Sequence, residues 1–234
     1  VLSLIEKHRV TTMFGAPTMF LMMVQDESFA STDLSSIATL TCGGAPVPVP
    51  LIKTYGERGI TFCQGYGLTE TAPFASLLAS DQAMAKVGSA GKAPMFTEVR
   101  IVEENNNPVA AGDHGEVCIK GPNVMKGYWN REEATAEAID TQGWFHSGDI
   151  GYLDDEDFLF LCDRVKDMVI TGAENVYPAE VESILYGHPS ILEVAVIGLP
   201  DEKWGEAVTA IAVLEEGAEL TLESLRDFAG ESLA

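Results

Sequence analysis

Two apolar runs that stop at glycine constrain this chain more than any other feature. IATLTC ends in GGAPVP at residues 43–48, and ITFCQ ends in GYGLTE at residues 65–70. Between them, from about Pro50 to Glu57, the spacing predicts a helix. Short apolar runs bounded by glycine read as buried strands. Upstream, Val1, Leu4, Ile5 and His8 recur at helical spacing, VTTMF reads as a strand, and Pro17 suits the first turn of a helix, PTMFLMMVQ. Repeated alternation of strand and helix predicts an α/β layer around a mostly parallel sheet. Ligands of such sheets bind beyond the carboxyl ends of the strands. Both glycine turns lie there.

From about residue 88 the rhythm changes. TEVRIVEE, the NNNP turn, GEVCIK, WFHSGDIGYLD and FLFLCD read as short strands with polar turns, interrupted by one helix, REEATAEAI. This predicts a small antiparallel or barrel-like subdomain. After Asp163 come MVIT, the helix PAEVESILYG, two further strands and a helix from Thr221, which together predict a small α+β domain. The expected divisions are an α/β layer over 1–87, a β-rich subdomain over 88–162, a hinge at 163–167, and an incomplete α+β domain over 168–234.

Charge narrows the function. Fourteen Lys and Arg against 36 Asp and Glu give a formal net charge of -22. Such a surface repels nucleic acid and anionic membrane. An anionic ligand would need local neutralisation by a metal ion or a few placed cations. The cysteines at 42, 63, 118 and 162 form no CxxC pair, and none stands beside a His at metal-ligand spacing. They are expected to be free thiols of a reducing cytoplasm. VLSLIEKHRV mixes charges within an apolar stretch, so no signal peptide is expected. No apolar run approaches the roughly 18 residues of a spanning helix. The chain starts without Met and stops inside a helix-like pattern, so it is expected to be a piece of a longer protein.

The sequence lacks GxxxxGK[ST], HExxH and GxSxG, and GYGLTE departs from GxGxxG because Glu70 stands at the third glycine. The four His, at 8, 114, 146 and 188, are scattered. What remains are the glycine turns and their polar residues. GGAP and GYG at adjacent strand ends would form a slot with the Tyr66 ring on one wall, suited to a purine. Thr69 and Glu70 at its rim are hard oxygen ligands suited to Mg²⁺ and phosphate. GYG read alone is equally a tight turn, with Glu70 a solvated charge or a cap. Asp149, ending GWFHSGD, suits two vicinal ribose hydroxyls, or else bonds its own turn. Arg164, in DRVKDMVITGAENVYPAEVE, could fork onto an oxyanion, or belong to a solvated linker. Gly172 in the same segment permits close approach of a thin ligand.

Taken in order, GGAPVP, QGYGLTE, VGSAGKA, GEVCIKGPNVMKGYWN, GWFHSGDIGYLD and DRVKDMVITGAENVYPAEVE resemble the adenylate-forming acyl-CoA synthetases over nearly the whole chain. The resemblance implies the C-terminal part of that family's large domain, followed by part of its small C-terminal domain. It implies ATP-dependent activation of a fatty or aryl acid to an acyl-adenylate, then transfer to coenzyme A. ATP, Mg²⁺ and coenzyme A are the implied cofactors and co-substrates. Gly43, Gly44, Ala45 and Pro46 would line the adenine and acyl sites, and Gly65, Tyr66 and Gly67 would border adenine and the acyl group. Thr69 would contact phosphate, and Glu70 would hold the metal. Asp149 and Arg164 would bind ribose, Lys166 would be the hinge, and Gly172 would meet the pantetheine arm. Phe14, Met19 and Leu68 suggest an apolar acid pocket.

The family's phosphate loop would lie upstream and its catalytic lysine beyond Ala234, so this stretch is expected not to complete the reaction alone. Ala173 and Asp157 stand where many relatives have glycine. Two alternatives are a non-catalytic nucleotide-binding module or degenerate paralogue and, within the family, an amino-acid-activating domain.

Overall fold

The computed structural model describes residues 1–44, 47–79, 81–172, 174–230 and 233. The chain divides into two compact units: residues 1–147 with 151–161, and residues 148–150 with 162–234.

The first unit begins with helix α1 (Leu2–His8), strand β1 (Thr12–Gly15), helix α2 (Pro17–Gln25), strand β2 (Thr39–Gly43), helix α3 (Val49–Gly56) and strand β3 (Phe62–Tyr66). β1, β2 and β3 pair in parallel, as the strand–helix alternation requires. β4 (Ser76–Leu78) returns antiparallel along β3, giving the order β1-β2-β3-β4. The chain reverses at the 67–74 turn immediately after β3, so an antiparallel return needs no crossover.

The core beneath this sheet is aromatic. Phe20, Tyr55 and Phe62 meet edge to face, with ring centroids 4.9–6.1 Å apart. Such pairs contribute about 0.5–1.5 kcal/mol each beyond area burial. The Tyr55 hydroxyl donates to the Phe20 carbonyl at 3.0 Å, so its polar end is satisfied inside the core. α1 presents Leu2 and Ile5 to this core and leaves Leu4 and Val1 exposed. Of the expected spacing through Val1, Leu4, Ile5 and His8, only Ile5 is buried, and Leu2 joins it. In a helix of two turns, either choice satisfies the period, and tertiary contact decides.

A second sheet has the order β5-β9-β8-β7-β6, with β5 (Ser89–Gly91), β6 (Glu98–Val102), β7 (Gly115–Lys120), β8 (Phe145–Leu153) and β9 (Leu159–Arg164). The short helix α4 (Glu132–Ala138) lies between β7 and β8 in sequence. The turn before β9 holds Asp157 at φ 64, the position where a glycine was expected in relatives. Asp is one of the few residues that tolerate this conformation, because its short side chain bonds locally.

In the second unit, β10 (Val169–Thr171) and β11 (Glu174–Val176) form a hairpin, and the sheet order is β11-β10-β13-β12. α5 (Pro178–Leu185) precedes the long pair β12 (Ile191–Asp201) and β13 (Gly205–Leu214), and α6 (Leu222–Gly230) follows. Leu185, Ile191, Val194 and Val196 form the unit's core. No helix among the described residues is long and apolar enough to cross a membrane.

Candidate active site

Strands β2 and β3 end side by side. Their last register pair is Gly43 with Gly65, so the two glycine turns leave the sheet from one edge. Space, more than backbone angle, requires both glycines. A Cβ on Gly43 would lie 2.8 Å from the Gly65 carbonyl oxygen, and one on Gly65 would lie 2.5 Å from the Phe74 ring. Gly44 is the opposite case: φ is 90, with nothing within 4 Å of a Cβ. Ala45 and Pro46 lie outside the described residues. Phe14 closes one side of this edge, its ring 3.5 Å from the Cβ position of Gly43, while 61% of the residue stays exposed. Tyr66 is buried, in a cluster with Ala75, Ala90, Ile101, Val117 and Ile119.

Beyond Tyr66 the chain folds over itself. A Cβ on Gly67 would lie 1.6 Å from the Pro73 carbonyl oxygen. Thr69 and Glu70 occupy a single 3-10 turn, Thr69–Thr71. Thr71, fully buried, pins it: its hydroxyl accepts from the Leu68 N–H at 2.9 Å and lies 3.0 Å from the Pro73 carbonyl and 3.1 Å from that of Leu68. One hydroxyl proton serves one of these carbonyls at a time. Asn123 clamps the same turn from the segment after β7, its amide donating to the Thr71 and Phe74 carbonyls at 3.1 Å each. The amide oxygen of Asn123 is 3.0 Å from the Thr97 hydroxyl, which donates to it.

This network leaves Thr69 exposed and Glu70 half-buried at the rim. Tyr128 reaches Glu70 from the GYWN segment: its hydroxyl donates to Oε1 at 3.0 Å, and the Met125 N–H donates to the Glu70 carbonyl at 2.7 Å. Burial, reinforced by the Glu70 carboxylate that its proton serves, raises the Tyr128 phenol above its ordinary pKa. Sequence reasoning assigned no role to Thr71, Asn123 or Tyr128. The signal for the last two was their place in GPNVMKGYWN, which carried the resemblance.

A divalent cation such as Mg²⁺ takes one or two carboxylates plus substrate phosphates and water. One carboxylate and one hydroxyl at an exposed rim, with a tyrosine steering one carboxylate oxygen, fit such an ion.

The remaining candidates lie in the second unit. Arg164 Nε stands 3.6 Å from Asp149 Oδ1, so these two are brought together. The Val165 N–H donates to the Gly148 carbonyl at 2.9 Å. Asp163 anchors the segment, accepting from the Arg164 N–H at 2.7 Å and from the Ala179 N–H in the first turn of α5 at 2.9 Å. Lys166 is exposed within a tight turn in which the Asp167 and Met168 N–H groups both donate to the Arg164 carbonyl. Gly172 has φ 58, and a Cβ there would lie 2.9 Å from the Trp204 ring.

Cys118 is a free thiol, as expected, and far from any His in sequence; the β7–β8 neighbourhood brings its sulfur within 3.5 Å of His146 Nδ1.

Comparison with known proteins places this arrangement. The chain is 48% identical over 225 residues to feruloyl-CoA synthase of an Amycolatopsis species, covering 96% of this chain and 46% of that protein. It is 46% identical over 234 residues to a long-chain-fatty-acid–CoA ligase of Mycobacterium tuberculosis, again covering 46% of the relative. Among solved structures, o-succinylbenzoate CoA synthetase of Bacillus subtilis, in complex with an acyl-adenylate intermediate, superposes with a TM-score of 0.89 at 39% identity, over all of this chain and 47% of that one. The same enzyme has been solved with ATP and magnesium ion. The chain thus spans about half the length of the proteins it matches. The AMP-binding enzyme C-terminal domain matches residues 180–234. With the AMP-binding enzyme family matching residues 1–129, more than half of its length, the chain belongs to that family.

Proposed function

We propose that this chain is the ATP-handling and hinge-bearing part of an acid–thiol ligase, which activates a carboxylic acid as its adenylate and passes the acyl group to coenzyme A. The observation that carries the reading is the pairing of Gly43 with Gly65 at one sheet edge, with Thr69 and Glu70 held at its rim. A carboxylate oxygen of the acid bonds to the α-phosphorus of ATP, and the bond to pyrophosphate breaks. No general base is needed, because the carboxylate is already ionised and requires only in-line placement. That agrees with a site built without a histidine. The glycine turns receive the adenine and the acyl carbonyl. Thr69 binds phosphate, Asp149 accepts from the ribose hydroxyls, and Arg164 supports it. Glu70, oriented by Tyr128, would hold Mg²⁺, which supplies charge neutralisation to the phosphates when bound.

The acid is of the aryl or fatty class. Phe14 and Met19, both exposed at or near this edge, support an apolar pocket wall. Residues 163–167 would serve as the hinge between half-reactions, with Lys166 as its pivot and Asp163 anchored to α5. Gly172 would admit the pantetheine arm. A non-catalytic nucleotide-binding module is not favoured, since Glu70, Asp149, Arg164 and Gly172 are all present.

The test uses the complete protein and two assays. Glu70→Gln should lower acid-dependent ATP–pyrophosphate exchange by about 100-fold or more, the scale of losing one stabiliser of developing charge. Thioester formation from synthetic acyl-adenylate should persist. Equal loss in both assays would assign Glu70 to structure and remove the metal from this position.

A further inference from the structure

Away from the glycine turns, three side chains of metal-ligating type converge on the second sheet. Glu116 and Cys118 are two apart on β7 and therefore share a face, and His146 enters from β8. Their ligand atoms all lie within 4.8 Å of one another. His146 Nδ1 is 2.7 Å from Glu116 Oε2 and 3.5 Å from Cys118 Sγ. We infer that Glu116, Cys118 and His146 form a binding site for a borderline-soft divalent cation of the zinc class, with three protein ligands and one position left for water.

The distances suit that ion. Zinc bonds of about 2.0–2.1 Å to nitrogen and 2.3 Å to sulfur place a tetrahedral N···S pair about 3.6 Å apart. The observed separation is already 3.5 Å. The matching N···O separation is about 3.4 Å, so the Glu116 carboxylate must draw back from its present hydrogen bond. Glu116 and His146 are each partly exposed, so that movement and the ion's entry are open from solvent. Cys118 is fully buried beneath them.

The frame is rigid. Ser147, next to His146, donates to the Val117 carbonyl at 2.7 Å, which locks β8 against β7 at the site. Ligands on strands hold their geometry better than ligands on loops. The surroundings also lack something that a metal thiolate would supply. Arg100 is the register partner of Cys118, and its buried Nε has no hydrogen-bond partner among the described residues. The rest of that guanidinium is engaged by Asp140 at 3.4 Å, by Asn106 at 3.1 Å and by the Trp144 ring. A sulfur made anionic by a metal would accept from Arg100, the outer-shell support that metal thiolates use.

A nucleophilic triad is the competing use of Cys, His and Glu. It fails on connectivity. A relay needs one imidazole nitrogen on the thiol and the other on the carboxylate, whereas here Nδ1 faces both.

Co²⁺ added to the chelator-treated protein tests the site. One equivalent should bind, with visible bands of tetrahedral cobalt and a near-ultraviolet thiolate-to-cobalt band. Zn²⁺ should displace it and raise the melting temperature. Cys118→Ser should abolish the thiolate band, and His146→Asn should weaken binding by at least about tenfold, the loss seen even for an outer-shell partner. Cys162→Ser should change neither. Should Cys118→Ser fail to fold, Glu116→Gln and His146→Asn, with circular dichroism as the fold check, carry the test. Absence of a thiolate band, its survival in Cys118→Ser, or equal affinity in folded His146→Asn would overturn the proposal.

Discussion

Gly67 and Arg164 both follow or close a strand of the proposed site, yet they are held in opposite ways. A methyl group on Gly67 would lie 1.6 Å from the Pro73 carbonyl oxygen, so the chain itself fills the space beside it. The Arg164 side chain is 59% exposed, and its nearest opposite charge, Asp149, is 3.6 Å away. Around Gly67, every side chain that shapes the turn is satisfied internally: Thr71 by Leu68 and Pro73, Asn123 by Thr71, Phe74 and Thr97. Around Arg164, Asp163 is fixed by two backbone N–H groups, while the arginine side chain itself stays largely in solvent. The first region is built before any ligand arrives. The second keeps polar groups at the surface for something to engage. Pre-organised donors suit the step where charge develops, whereas exposed residues at a junction suit a segment that must change its backbone angles.

The comparison breaks most readily at Gly67. Gly67→Ala forces the 67–74 backbone apart and should cost about 3–5 kcal/mol, the range of a severe packing fault. Urea unfolding of this chain followed by tryptophan fluorescence and circular dichroism would measure it. A loss below about 1 kcal/mol would show that the turn yields easily and that glycine stands there for the ligand alone.

Thr71→Val keeps the shape of a buried side chain and removes its hydroxyl. The Leu68 N–H then loses its acceptor inside the fold. An orphaned buried donor costs about 1–3 kcal/mol, and the same unfolding experiment should show it. The complete protein should in addition lose adenylate formation more than thioester transfer, because the neighbouring Glu70 and Thr69 lose their fixed placement. A change in stability with both half-reactions intact would separate the pin from the chemistry.

These contrasts also explain which parts were readable in the sequence. Strands β2 and β3 and their shared edge were readable, because apolar runs stopped by glycine and joined by a helix permit little besides parallel neighbours. β4 and β11 were not, since three residues carry no period. Leu2, buried on the short helix α1, was missed for a similar reason. Asn123 escaped because its partners are backbone carbonyls 49 and 52 residues away, and no local pattern encodes such a bond. Gly67 was recognised as special, but its ligand-side reason came from the motif, while the Pro73 carbonyl became evident only in three dimensions. Cys118 and His146 are 28 positions apart, beyond any metal-spacing rule.

The smallest expected effect on stability is at Arg164, and it sharpens the comparison most. An ion pair with one exposed partner contributes about 0–1 kcal/mol, because water screens it and a long side chain loses freedom to form it. Arg164→Ala removes the pair but leaves the other bonds of this segment, from the Ala179 N–H to the Asp163 carboxylate and from the Asp167 and Met168 N–H groups to the Arg164 carbonyl. Its melting temperature should therefore stay within the shift of about 0.5 kcal/mol usual for surface substitutions. In the complete protein the same substitution should raise KM for ATP, by about tenfold for one lost charge-assisted contact, and leave KM for the acid unchanged. Added salt should weaken the wild-type pair and move its behaviour towards that of the variant. A large stability loss in Arg164→Ala would mean that this segment is as internally committed as the 67–74 turn, and the contrast between the two regions would fall. Unchanged stability with an unchanged KM for ATP would leave the contrast standing but take the ribose away from Arg164.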